Sequence, residues 1–157
     1  MTASRTTLVV GGAGYIGSHT VRALLEAGHV PVVFDNFSTG HREALPPDVA
    51  VIEGDLADPP ALLRAMELHA PSAIVHFAAS IEPGESMVDP RKYYRNNVVN
   101  SLHLLDAAVR FGIRQLVFSS SAATYGQPGV SPIPEDAPKQ PCNPYGETKL
   151  IVEHVLR

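Results

Sequence analysis

Tyr145 and Lys149 stand four residues apart in the run Tyr145-Gly146-Glu147-Thr148-Lys149. On a helix that spacing puts both side chains on one face, with Cβ atoms about 5–6 Å apart. An ammonium beside a phenol favours the phenolate. A phenolate can take a proton from a sugar hydroxyl while hydride leaves for an oxidant. By spacing alone the pair reads more readily as a surface pair on an amphipathic helix. Two features nearer the N-terminus reverse that balance. Ser119, Ser120 and Ser121 end a β-type run, and one of their hydroxyls could bridge a substrate oxygen and Tyr145. No Gly-x-Ser-x-Gly elbow surrounds them, which disfavours a hydrolase nucleophile. Thr124 and Tyr125 either line the same crevice or make loop contacts.

The second feature lies near the start, in Gly11-Gly12-Ala13-Gly14-Tyr15-Ile16-Gly17. It reads in two registers, Gly12-x-Gly14-x-x-Gly17 and Gly11-x-x-Gly14-x-x-Gly17. Both describe a chain that turns sharply from strand into helix, offers backbone N–H groups to a pyrophosphate and lets the helix lie close to a sheet. A lone glycine pattern is weak. This one follows a strand, opens a helix and has an acid, Asp35, 18 residues after Gly17. A carboxylate there accepts hydrogen bonds from a ribose 2′-hydroxyl and repels a 2′-phosphate, which favours NAD over NADP. Asp35-Asn36 also fits a turn-forming pair, and His41 and Arg42 nearby keep NADP open. Asp55 follows the third strand, on the side where ligands bind beyond strand carboxyl ends; alone it reads as a turn or cap residue.

Alternating elements must position these groups. Thr7–Val10, Val30–Phe34 (reaching Asp35), Ala50–Ile52, Ala73–Phe77 and Gln115–Ser119 read as strands. Residues 15–27 read as a helix, with Ile16, Thr20, Ala23, Leu24 and Ala27 on one face, ended by Gly28. Pro59 and Pro60 open a second helix that runs to about His69. Residues 95–111 form a long third helix, with Val98, Val99, Leu102, Leu105, Ala108 and Val109 apolar and Gly112 at its end. Such alternation gives βαβ units and an α/β fold. Near-continuous apolar strands suit a parallel sheet buried on both faces. Right-handed crossovers then favour a doubly wound order of 3-2-1-4-5. Pro128 to Pro144 holds six prolines and reads as a loop.

Composition excludes several classes. The 157 residues fit one domain, 1–157. A net charge of −4 with no lysine-arginine run argues against nucleic acid. Met1-Thr-Ala-Ser-Arg-Thr-Thr leads into only a four-residue apolar run, too short for a signal segment or a membrane span, so a cytoplasmic location follows by default. Cys142 is the single cysteine, so no internal disulfide forms. The seven histidines are scattered without paired ligand spacing, so no metal site is expected.

These residues together resemble the extended short-chain dehydrogenase/reductase family, and most closely its epimerase branch. The matching stretches are Gly11 to His19, Asp35-Asn-Phe-Ser-Thr-Gly40, Glu53-Gly-Asp55, His76-Phe-Ala-Ala79, Gly84-Glu-Ser86, Tyr93-Tyr-Arg-Asn-Asn97, Phe118-Ser-Ser-Ser-Ala122 and Pro144-Tyr-Gly-Glu-Thr-Lys149. The resemblance implies a Rossmann-like fold with NAD as the bound cofactor. It places Tyr15 and Ile16, with Gly11, Gly14 and Gly17, at the pyrophosphate. Asp35 falls at the adenosine ribose and Asp55 near adenine, with Asn36 and Leu56 also among the cofactor-binding residues. Phe77, Ala78, Ala79 and Asn96 lie along the cofactor. It makes Ser121, Tyr145 and Lys149 the catalytic trio, with Tyr145 and Lys149 also touching NAD. The implied reaction is epimerisation at C4 of a UDP-hexose, UDP-glucose or UDP-galactose, through a transient 4-keto sugar. The implied partners are a UDP-sugar and a second copy of the chain, docked through helices 95–111 and 144–157. Leu150, Ile151, Val152, Val155 and Leu156 are expected to contribute to that apolar surface.

Three departures stand out. Val10 replaces a threonine common before the glycines. Ile81 replaces a lysine that many epimerases carry after His-Phe-Ala, removing one cofactor contact. The chain also covers only about the first half of such an enzyme, so a substrate domain after Arg157 is expected to be absent and strand five to present a bare edge. A dehydratase or decarboxylase of the same fold is an alternative. Ser121-Ala-Ala-Thr124-Tyr-Gly lacks the Asp-Glu pair that dehydratases commonly place after a threonine there. A non-catalytic NAD-binding module is a third reading.

Overall fold

The central sheet holds five parallel strands, β1 (Thr6–Val10), β2 (Val30–Asp35), β3 (Ala50–Glu53), β4 (Ala73–His76) and β5 (Gln115–Phe118), in the order β3-β2-β1-β4-β5. This is the doubly wound order expected from right-handed crossovers. The computed structural model describes residues 5–157. Met1–Ser4, part of the N-terminal stretch read for a leader, lie outside the described residues. Among the described residues no helix is long and apolar enough to cross a membrane.

The chain forms two compact units. One runs up to Ala78 and includes His103–Ser119; the other is Ala79–Leu102 with Ser120–Arg157. In the first, the central strands β1 and β2 are buried on both faces. Leu8, Val10, Val32, Phe34 and Ile74 pack on Leu62, Ala65 and Met66 of α2 (Pro59–His69) and on Leu104, Ala107 and Ala108 of α5 (Asn100–Arg110). The alternate residues Val9 and Val33 pack with Ala13, Leu45 and Val21 of α1 (Tyr15–Glu26). Period-two alternation thus sends neighbouring strand residues to two separate helical layers. Asp58 caps α2 by accepting the Ala61 N–H at 3.2 Å, and Pro59 and Pro60 fill its first positions. Edge strand β5 leaves Val117 63% exposed.

The α1 face differs from the expectation. Gly17, Ser18 and Val21 turn inward, with Leu24 partly buried beside them, while Ile16 is 59% exposed. The cause is a close approach. A Cβ on Gly17 would collide with the Gly11 carbonyl oxygen, so the glycine side of the helix, not its most apolar side, meets the loop.

In the second unit, α3 (Pro83–Val88) and α4 (Pro90–Tyr93) are followed by a π-helical stretch, Tyr94–Val99, that leads into α5. Tyr94 and Asn100 both keep right-handed helical dihedrals, so the axis is not broken. The uniform helix expected over 95–111 therefore starts earlier and changes hydrogen-bond period on the way. A π-turn shifts the angular phase of every later residue in the helix. Asn97, Ser101 and Leu104 become the inward residues, while Val99, Leu102 and Val109 are exposed. After a short 3₁₀ turn, Ala122–Tyr125, the proline-rich loop leads to α6 (Pro144–Val155). Leu150 and Val152 of α6 are buried, 8% and 3% exposed, and of the set expected to be outward only Val155 and Leu156 are exposed.

Candidate active site

The first unit assembles the glycine turn, the end of β2 and the end of β4. Gly11 N–H donates to the Phe34 carbonyl at 2.9 Å, and the Phe77 and Ala78 N–H groups both donate to Val10. A Cβ on Gly11 would stand 2.5 Å from the Ala78 nitrogen, so the predicted Gly11 and Phe77-Ala78 segments are in backbone contact. Gly14 occupies the N-cap of α1, no side chain caps the helix and no acid lies in its first turn. The N–H groups of Tyr15, Ile16 and Gly17 therefore lie at a helix start without a side-chain cap, a donor set that suits a pyrophosphate. Tyr15 is 83% exposed and stacks obliquely on His19.

Asp35 is nearly buried. One carboxylate oxygen accepts the Ala13 N–H at 2.8 Å and the other accepts the Phe37 N–H at 2.9 Å. It thus braces the glycine turn on one side and holds Phe37 in the left-handed region, φ 55°, on the other. This bracing role was not legible in the motif. Asn36 donates through Nδ2 to Asp55 Oδ2 at 2.8 Å, joining the two acidic segments. The Leu56 side chain lies in the core, and its carbonyl oxygen is 2.9 Å from His103 Nδ1.

The second unit holds Ala79, Asn96, Ser121, Tyr145 and Lys149. Asn143 caps α6 by accepting the Gly146 N–H at 2.8 Å, and Pro144 fills its first position. Tyr145 is therefore in the first turn, half-buried, and Lys149 sits one turn on, 3% exposed. Burial pushes the Lys149 ammonium down to about 8. Ser121 Oγ accepts the Ala123 N–H at 3.1 Å and caps the 3₁₀ turn, leaving its own proton to donate elsewhere. Asn96 donates to Ser80 Oγ at 2.9 Å. Next to the serine, Ser120 donates to Glu153 at 2.5 Å, and Lys139 from the proline-rich loop pairs with the same carboxylate.

Three residues support this unit that motif reading did not single out. Asn97 accepts the Ser80 N–H at 2.8 Å and donates to the Ser80 carbonyl at 3.0 Å and to Thr148 Oγ1 at 3.1 Å. Thr148 in turn donates to the Tyr145 carbonyl at 2.7 Å. The π-turn carries Asn97 inward, and no periodicity argument distinguishes a π-turn from an α-turn. The adjacent pair Asn96-Asn97 in a helix was the available signal, since asparagine is a poor helix former without a partner.

Parallel strands ordered 3-2-1-4-5, an uncapped glycine turn into α1 and an acid at the end of β2 define a Rossmann-like nucleotide-binding fold. The chain belongs to the NAD dependent epimerase/dehydratase family, which it matches over residues 7–157. It is 53% identical over 155 residues to UDP-glucose 4-epimerase of Azospirillum brasilense, covering 99% of this chain and 44% of that protein. The crystal structure of UDP-glucose 4-epimerase from Brucella ovis in complex with NAD superposes with a TM-score of 0.94 at 52% identity, over 98% of this chain and 47% of that one. UDP-glucose 4-epimerase from Thermotoga maritima with UDP-glucose superposes with a TM-score of 0.91 at 35% identity, over 96% of this chain and 50% of that one. The chain spans about half the length of the relatives it matches.

Proposed function

We propose that residues 1–157 are the NAD-binding, proton-transferring portion of an enzyme that inverts C4 of a UDP-hexose, interconverting UDP-glucose and UDP-galactose. The carrying observation is the first turns of α6: Tyr145 half-buried, Lys149 buried one turn on, in a chain about half identical to UDP-glucose 4-epimerases. The open N–H groups of Tyr15, Ile16 and Gly17 hold a pyrophosphate, Asp35 and Asn36 the adenosine ribose, and Asp55, Leu56, Phe77, Ala78, Ala79 and Asn96 the rest of the dinucleotide. NAD, when bound, supplies reversible hydride acceptance.

This chain's residues handle the proton. The Lys149 value of about 8 leaves it an ammonium at neutral pH, one helical turn from Tyr145. Tyr145 takes the proton of the C4 hydroxyl as a general base and returns it to the 4-keto sugar after the ketone has turned over. Ser121 donates to the same oxygen. No acidic pair follows Thr124, so no second proton-transfer group stands where a dehydratase would carry one. We also propose a homodimer through helices 95–111 and 144–157. Its support is the outward apolar set Val99, Leu102, Val109, Val155 and Leu156; a strictly monomeric species in ultracentrifugation opposes it.

The test monitors UDP-glucose by NMR in the full-length protein that carries this sequence, with NAD. UDP-galactose should appear, and Tyr145→Phe should abolish it. An NAD-bound protein that leaves UDP-glucose unchanged sinks the reading.

A further inference from the structure

We infer that Tyr93 is a positioning residue for Tyr145: a buried second phenol whose ring, standing nearly perpendicular to it, restricts the swing and the plane of the proton-transferring ring. The inference rests on Tyr145 being the proton-transfer group.

The two ring centroids are 6.4 Å apart with planes at 80°. That is the edge-to-face arrangement aromatic quadrupoles favour. A tyrosine ring has a broad, two-fold torsional preference about its own axis, and Tyr145 is only half-buried. Its orientation must come from a neighbour. The volume Tyr93 fills limits the swing about the Tyr145 Cα–Cβ bond, and the perpendicular contact restricts the plane. The orientation of the phenolic oxygen follows that plane.

A neighbour can orient a ring only if it is itself fixed, and Tyr93 is. It is fully buried, at 0% exposure. Its oxygen accepts the Glu82 N–H at 3.1 Å, and its proton is shared between the Glu82 carbonyl at 2.7 Å and Glu85 Oε2 at 2.8 Å. Lys92 holds the other Glu85 oxygen at 2.6 Å. The backbone end is anchored in α4 and the hydroxyl end in α3. Burial, then the bond to Glu85, pushes Tyr93 up to about 12. It stays a neutral phenol throughout the working range and does not compete with Tyr145 for the proton. Of two phenols in contact, one is framework and the other is left to react.

The experiment uses the full-length protein with NAD and UDP-glucose, and ring-labelled tyrosine for NMR. Tyr93→Leu should lower kcat about 10- to 100-fold, with KM and NAD affinity within about two-fold, and should raise the Tyr145 ring-flip rate at least about ten-fold. Tyr93→Phe keeps the ring and loses its anchor, and should lower kcat about three-fold. Unchanged kcat and flip rate in Tyr93→Leu overturn the inference, as does loss of NAD affinity in step with kcat. If Tyr93→Leu does not fold, Tyr93→Phe decides: a lowered kcat at unchanged KM supports the inference, and unchanged kcat overturns it. The flip rate is read without turnover, so an inactive wild type would sink the epimerase reading and leave this measurement standing.

Discussion

A Cβ placed on Gly146 would stand 2.5 Å from the carbonyl oxygen of Ala123. The helix turn that carries Tyr145 and the 3₁₀ turn that Ser121 caps therefore meet backbone to backbone. Neither element can be displaced without moving one of the two groups proposed to share a substrate oxygen. Gly146→Ala should lower stability by about 1–3 kcal/mol and kcat by at least ten-fold, with NAD affinity held. Denaturant melts and initial rates check both; a variant with wild-type kcat would show that this contact does not set the distance.

Asp35 is expected to act twice. Asp35→Ala removes the acceptors of the Ala13 and Phe37 N–H groups, leaving a nearly buried donor and a left-handed phenylalanine unsupported. Stability should fall by about 1–3 kcal/mol, and NAD affinity by ten-fold or more. Urea melts without NAD isolate the first effect and fluorescence titration the second. Loss of affinity at unchanged stability would mean the carboxylate does not brace the turn.

Asn97→Leu keeps the branched shape, with bulkier methyls, but leaves the Ser80 N–H without its acceptor and the Ser80 carbonyl without its donor. A cost of roughly 1–3 kcal/mol is expected, read from the urea midpoint at constant m-value. A neutral substitution would show that water replaces the amide.

Lys149 predicts a pH dependence of stability. Its folded value of about 8 lies below the ~10.4 of an unfolded lysine. Between these values the unfolded chain holds the proton and the folded chain has lost it, so stability rises with pH across that interval. Below about 8 the full penalty of a buried ammonium is present, up to about 3 kcal/mol. Lys149→Met should be more stable than wild type at pH 7, with the difference shrinking by pH 10. Parallel melts of the two proteins at both pH values decide; a constant difference would mean that Lys149 does not titrate in the folded state over this range.

The sheet order and most of its strands were readable from residue order alone. Short β-branched runs alternating with helical spacing leave few right-handed topologies, and β1 to β5 adopt one of them. The glycine turn was equally legible, because a sharp strand-to-helix turn with close backbone approach excludes most side chains. Local signals of that kind are complete within a dozen residues. The orientation of a helix is not local. In α1, apolarity pointed to Ile16 and Ala23, but steric contact between Gly17 and Gly11 chose Gly17, Ser18 and Val21. The π-turn at Tyr94–Val99 was invisible for a related reason: its i→i+5 bonds change angular phase without changing composition. That phase carries Asn97 to Thr148, 51 residues away. Tyr145 and Lys149 could be singled out from their spacing once the glycine turn was read beside them, and Ser121 from the family resemblance; which neighbours hold Tyr145 in place was decided by packing between segments distant in the chain, where steric exclusion and the satisfaction of buried polar groups act only after the chain has folded.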